Sequence, residues 1–135
     1  MKNKSLNPTK PWLNEPNSLI WQDKKTGLIC EIHRNPKMGH LCGYVNIPEN
    51  HPLIEKDYND LNFNVHGGVT FSNKLLNSYK NCWKIGFDCA HSEDLSPFLS
   101  PFLSPFNNNY TTYKTIKYVK AECKKLAKQI WNYKN

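Results

Sequence analysis

The chain reads as an α+β protein: one domain in which an antiparallel sheet of about five strands is packed by a C-terminal amphipathic helix. Three observations lead there. Short runs of β-branched and aromatic residues with alternating polarity recur as far as Asp88, most of them closed by Gly, Pro or Asn. The last segment, TIKYVKAECKKLAKQIWNYK, changes to three- and four-residue spacing. At 135 residues there is material for one good core and not for two.

Residues 1–17 hold three prolines and no periodicity, so they form an N-terminal arm, with Trp12 and Leu13 placed to dock it on the domain at 18–135. LIWQDKKTGLICEIHR follows as a hairpin, Gly27 supplying a positive φ in its turn. On its second strand Leu28, Cys30 and Ile32 alternate with Ile29, Glu31 and His33, which puts His33 on the side away from the core. GHLCGYVNIP is a third strand, with Leu41, Gly43, Val45 and Ile47 on one face and Pro48 at its end. PENHPLIEKDYND reads as a long loop with at most a helical turn. LNFNVHGGVTF resumes strand character, Phe63 and Val65 opposing Asn62, Asn64 and His66, until Gly67-Gly68 interrupts it.

Residues 73–81 are ambiguous and compatible with a short helix around Leu75 and Leu76. NCWKIGFDC is a further strand, with Trp83, Ile85 and Phe87 toward the core and Lys84, Gly86 and Asp88 the other way. LSPFLSPFLSPF at 95–106 repeats one tetrapeptide three times. A serine before each proline disfavours helix, so the repeat is a loop insertion. In the final helix Ile116, Val119, Cys123, Leu126, Ala127 and Ile130 make the buried stripe, and lysines fill the other faces.

Composition narrows the functional classes. No apolar run approaches the roughly 18–20 residues that span a bilayer, and no apolar stretch follows the N-terminal lysines as in a secretory signal, so the expectation is a cytoplasmic protein without a membrane partner. Five cysteines, odd in number and without a CxxC pair, fit a reducing compartment and speak against a disulfide framework or a zinc ribbon. The formal net charge of +7 invites a nucleic-acid partner. Yet Arg34 is the only arginine, and Lys114, Lys117, Lys120, Lys124, Lys125 and Lys128 read as the solvated faces of the last helix. Sequence-specific DNA binding is not expected; a small anionic ligand or nucleotide suits the positive field, and a second copy of the chain is an admissible partner. No cofactor motif is present in the sequence.

Two segments concentrate reactive side chains at strand ends. In NVHGGVTF, Gly67 and Gly68 allow close backbone approach and offer N–H groups for an anion nest beside His66 and Thr70; a tight bend explains them equally well. In WKIGFDCAH, Asp88 and His91 are placed to meet at the rim of the sheet. Cys89, turned inward, is a poor nucleophile because reactive thiols are partly exposed and near positive charge. His40, His51, His66, His91, Cys89 and Asp88 are the candidate metal ligands, but none shows a helical HxxxH or CxxC spacing, so no metal is assigned. Glycines flanking Leu41-Cys42 thin the layer beside Tyr44, either for a planar ligand or, slightly better, for close passage of the helix.

Gly39 to Val45, Pro48 with His51-Pro52, His66 to Phe71, Gly86 to His91, and Tyr118 to Cys123 together resemble the blocks of a family of small bacterial and bacteriophage proteins. Its pattern often has Gly-Asp after the last His of the GFDCAH block, where this chain has Ser92-Glu93-Asp94. The resemblance covers about residues 28–130 and brings no activity with it. It implies that His66, Gly67, Gly68, Thr70, Asp88, Cys89 and His91 belong to one site. It also implies a phage setting, in the host cytoplasm, where a protein of this kind counters host defence by sequestering a nucleotide immune signal.

Three functions are therefore in view. The first is binding of a nucleotide or other anion by His66, Gly67, Gly68, Thr70, Asp88 and His91, with Tyr44 or Trp83 stacking a base. The second is a hydrolase or phosphoesterase with His66 and His91 as acid and base and Asp88 setting one tautomer. The third is a protein inhibitor of a host enzyme acting through exposed aromatics and the 95–106 loop.

Overall fold

The computed structural model describes residues 10–75, 78–99 and 111–134. Five strands form one antiparallel sheet: β1 (Ser18–Gln22), β2 (Ile29–Arg34), β3 (Leu41–Asn46), β4 (Phe71–Lys74) and β5 (Trp83–Asp88), in the order β1-β2-β3-β5-β4. A single helix, α1 (Ile116–Trp131), lies across one face over β2 and β3. The α+β architecture expected from the sequence is the one observed.

Alternation explains the layer. Cys30 and Ile32 of β2, Leu41 and Val45 of β3, and Ile85 and Phe87 of β5 face Val119, Cys123, Leu126, Ala127 and Ile130 of α1, and all are buried. The helix can lie close because β3 carries Gly43 beneath it. A Cβ there would come within 2.6 Å of the Phe87 ring and 2.7 Å of Cys123 Sγ. Close passage of the helix is thus the role of that glycine. Thr115 caps α1, its hydroxyl accepting from the Tyr118 N–H.

The lone arginine is structural. Buried Arg34 donates to Gly39 O, Tyr113 Oη, Asn17 Oδ1 and Pro16 O, and pairs with Glu15, which also accepts from Tyr113 Oη and the Ile116 N–H. Residues 10–17 are docked by this network and by Trp12, packed edge-on against Tyr113. Leu13 does not share the task, being 63% exposed. Residues 1–9 of the arm, and the part of the LSPF repeat at 100–106, lie outside the described residues. The first copy of the repeat is packed: the Phe98 N–H donates to Met38 O, and Leu95 N–H to Thr112 O.

Two local expectations fail. Residues 61–70 are not a strand, and β4 begins only at Phe71. The backbone of Asn64 is satisfied at both N–H and C=O by the Gln129 side chain of α1, and the His66 N–H by Glu122, so this segment needs no ladder partner. Gly67 and Gly68 then turn it at φ +67° and +82°. No helix forms at the described residues around 75–81, which run as bends back across the far face of the sheet. There Glu31 of β2 and Lys84 of β5 are wholly buried and paired at 3.0 Å, and Tyr79 N–H and Lys80 O close over them.

Candidate functional site

At the end of β5 three separate segments converge. Asp88 closes the strand, residues 89–94 turn away from it, the 64–70 segment passes beside them, and the first turn of α1 lies alongside. Their centre is His66. Its Nε2 lies 2.9 Å from Asp94 Oδ2, and its Nδ1 lies 2.8 Å from the Tyr118 hydroxyl. Asp94 is 1% exposed and is held by three donors: His66, the His91 N–H at 3.0 Å, and Lys114 Nζ at 2.9 Å. Burial alone would raise its pKa, but the bonds from His66, the His91 N–H and Lys114 outweigh that and hold the carboxyl below its ordinary range.

An ionised Asp94 fixes the proton on the imidazole. A carboxylate only accepts, so His66 Nε2 carries the hydrogen; with the ring neutral, Nδ1 accepts from Tyr118 Oη. The result is a chain from a partly exposed hydroxyl, through an imidazole, to a buried carboxylate. Burial first, then the charges of Glu122 and Asp94, push the Tyr118 hydroxyl up, so it rests protonated.

A second histidine–carboxylate pair adjoins the first. The His91 ring centroid is 5.7 Å from that of His66, and His91 Nε2 lies 3.2 Å from Asp88 Oδ1 at an angle that makes no hydrogen bond. Asp88 is itself oriented by the Thr70 hydroxyl and the Ala90 N–H. His91 can sit there only because residue 67 is glycine, where a Cβ would stand 2.1 Å from His91 Nε2. His40 is also close: it is 5% exposed, its Nδ1 makes no hydrogen bond, and burial lowers its pKa against the opposing pull of Asp88 and Asp94.

Of the residues singled out from sequence, His66, Gly67, Thr70, Asp88 and His91 come together. Gly68 is adjacent, but its N–H donates to Val65 O and is unavailable to an anion. Cys89 lies beneath, 2% exposed, its thiol pushed up by burial and then by Asp94, which makes it structural. Tyr44 shares the face of Asp88, two pairs along the ladder, with its ring lying over Gly86 and edge-on to Phe71. The space that Gly86 leaves is filled by that ring. Trp83 is not part of the cluster. It stands at the opposite end of β5, roughly 17 Å from Asp88 at strand rise, with its Nε1 donating to Ser72. His51 is a tether, its Nε2 facing Ile130 O at 3.1 Å while Nδ1 accepts from the Leu53 N–H. His33 is half-buried against Glu31.

Asp94, Lys114 and Tyr118 are the members the sequence did not announce. The visible signal was that Tyr118 and Glu122 stand four apart on α1, off its apolar stripe, and so share a face. The cluster is not a reservoir of free positive charge. Lys114 Nζ is engaged by Asp94 Oδ1, Thr112 O and Oγ1, and Glu93 O, and both nitrogens of His66 have partners. Among the described residues, no three His, Cys, Asp or Glu side chains are grouped so as to hold a metal ion, and no helix is long and apolar enough to cross a membrane. No family model matches this chain, and neither a curated protein nor a solved structure matches it.

Proposed function

We propose that the cluster is an acid–base site acting on a small ester or phosphoester, with Tyr118, His66 and Asp94 as its proton-handling chain. The observation that carries this reading is the pair of contacts at 2.8 and 2.9 Å linking an accessible hydroxyl to a carboxylate 1% exposed. Asp94 orients His66 and holds the hydrogen on its Nε2, which leaves Nδ1 facing the phenol. His66 Nδ1 is placed to take the Tyr118 proton as the phenol oxygen bonds to the ester carbon or phosphorus, and to give it to the leaving oxygen as that bond breaks. The same nitrogen then takes a proton from the water that cleaves the tyrosyl intermediate and returns it to the phenol. His91, backed by Asp88, is the second acid–base group. Simple capture of an anion has less support, because Lys114 and His66 are already committed to protein partners.

One observation favours a second reading, in which a nucleotide or similar anion is held without turnover, as sequestration of a signal requires. The His91 side chain is 35% exposed and its Nε2 makes no hydrogen bond, so a turn of the ring away from Gly67 presents an uncommitted nitrogen to a ligand oxygen. Tyr118→Phe separates the two readings. It removes one oxygen at an exposed helix position and leaves the ring. With a panel of p-nitrophenyl esters, bis(p-nitrophenyl) phosphate and linear and cyclic nucleotides, an acid–base site loses about a hundredfold or more in turnover while retaining binding. Intact release of every bound nucleotide, unchanged by Tyr118→Phe, overturns the catalytic reading and leaves sequestration.

A further inference from the structure

On the opposite edge of the sheet, the lysines that read from sequence as a solvated helix face meet a second set. The β1–β2 turn brings Lys24 and Lys25 against the outer side of α1, where Lys120, Lys124, Lys125 and Lys128 project. Between turn and helix run two adjoining cavities of about 270 Å³ each, sharing Asp23, Lys25, Ala121 and Lys124 in their walls. The small side chain of Ala121 leaves the groove open along the helix. Lys120, Lys124 and Lys128, each four residues apart, set a positive row about 12 Å long beside it.

Among the described residues little neutralises this row. Asp23 is the one carboxylate in the walls; it is 5% exposed and accepts from the N–H and hydroxyl of Thr26, which fixes the turn. Lys125 pairs with Glu122 at 3.3 Å, and none of the other five lysines makes an ion pair with a described residue. At one end of the groove lies Trp21, half-buried, with Lys120 Nζ 5.2 Å from its ring centroid. An unneutralised lysine row bordering a groove that ends in an aromatic ring is the chemistry of single-strand recognition: cations follow the phosphates and the ring stacks a base without reading its edges. Each cavity is at the small end of ligand sites, suited to a nucleotide unit and not to a duplex.

We propose that the groove between the β1–β2 turn and α1 binds single-stranded nucleic acid without sequence preference, through its lysine row and Trp21. The site is independent of the His66 cluster. Three strand spacings, about 14 Å, separate β1 from β5 across the sheet, and neither site contributes a residue to the other.

The test is fluorescence anisotropy of labelled oligo(dT) with the whole chain, over a salt series. The expected result is binding whose log K falls with log salt by about 0.7 for each phosphate neutralised. Lys120→Gln/Lys124→Gln/Lys128→Gln is expected to weaken it about tenfold or more at low salt and to flatten the slope, with an unchanged melting transition as the folding control. Trp21→Phe keeps a stacking ring and is expected to retain most of the affinity; inorganic tripolyphosphate should compete poorly. Absence of oligo(dT) binding at low salt, or indifference to the triple substitution, overturns the proposal. Tripolyphosphate binding as tightly as oligo(dT) overturns the nucleic-acid assignment, since the lysines alone then account for the site.

Discussion

Lys84→Met is the sharpest perturbation of the fold. Lys84 Nζ lies 3.0 Å from Glu31 Oε2 and donates to Asn46 Oδ1 and Lys80 O, and both charged side chains are wholly inaccessible. Methionine matches the aliphatic stem, so packing is largely kept and the perturbation is electrostatic. It leaves the Glu31 carboxylate buried with only the neutral donors Asn46 and Tyr79 N–H, and His33. Removing one partner of a buried pair costs about 3–5 kcal/mol, a large part of the roughly 5–15 kcal/mol that holds a domain together. Glu31→Leu/Lys84→Met removes both charges. It takes the acceptor from the Tyr79 N–H and the donor from Lys80 O, at about 1 kcal/mol each, while Asn46 keeps Ile29 O and Cys82 Sγ, so it should lie closer to wild type than the single variant. Urea unfolding at neutral pH reads both, with the m-value checking that the transition stays two-state. A Lys84→Met cost below about 1 kcal/mol, or a double variant less stable than the single, would refute the reasoning that this pair is dry and mutually dependent.

The two adjacent glycines give a matched comparison. Gly68→Ala enters open space at φ +82° and should cost only the left-handed backbone strain, about 1 kcal/mol. Gly67→Ala carries the same strain at φ +67° and adds a Cβ 2.1 Å from His91 Nε2, so it should cost roughly 1–3 kcal/mol more and displace His91. Thermal melts, with the His91 ring resonances followed by NMR, check both; equal costs with an unmoved His91 would mean the two residues are not in contact.

What was legible in the sequence was what alternation and helical spacing decide locally. The faces of β2, β3 and β5 and the buried stripe of α1 follow from side-chain periodicity, because one face of each had to meet the core. The strand expected over 61–71 failed because its hydrogen-bond partners, Gln129 and Glu122, lie more than fifty positions away on the helix. The same distance hid the centre of the site. His66 and His91 stood out by composition, but Asp94 follows a turn and Tyr118 sits on a helix face that looks merely solvated. Only the packing of three segments brings them together. Glu31 and Lys84 were placed correctly on the face away from α1; their burial comes from residues 78–82 folding back over that face.

Acid should expose the two buried carboxylates separately. Burial raises Glu31, but hydrogen bonds from His33, Asn46, the Tyr79 N–H and Lys84 more than offset it and hold its pKa at about 2 against a reference of 4.5. The unfolded chain therefore binds the extra proton first. The stabilisation is complete above the reference value, declines as pH falls from about 4.5, and is lost once pH passes about 2. A displacement of that size corresponds to about 3 kcal/mol. Asp94, also held below its ordinary range, adds a loss of the same sign over acid pH. The double variant at Glu31 and Lys84 should remove the first contribution and keep the second, so that its stability declines less steeply between neutral pH and about 3 than that of wild type. Parallel pH profiles for the two proteins would mean that Glu31 titrates in the folded state as it does in the unfolded one, and that its hydrogen bonds do no more than replace the water it left.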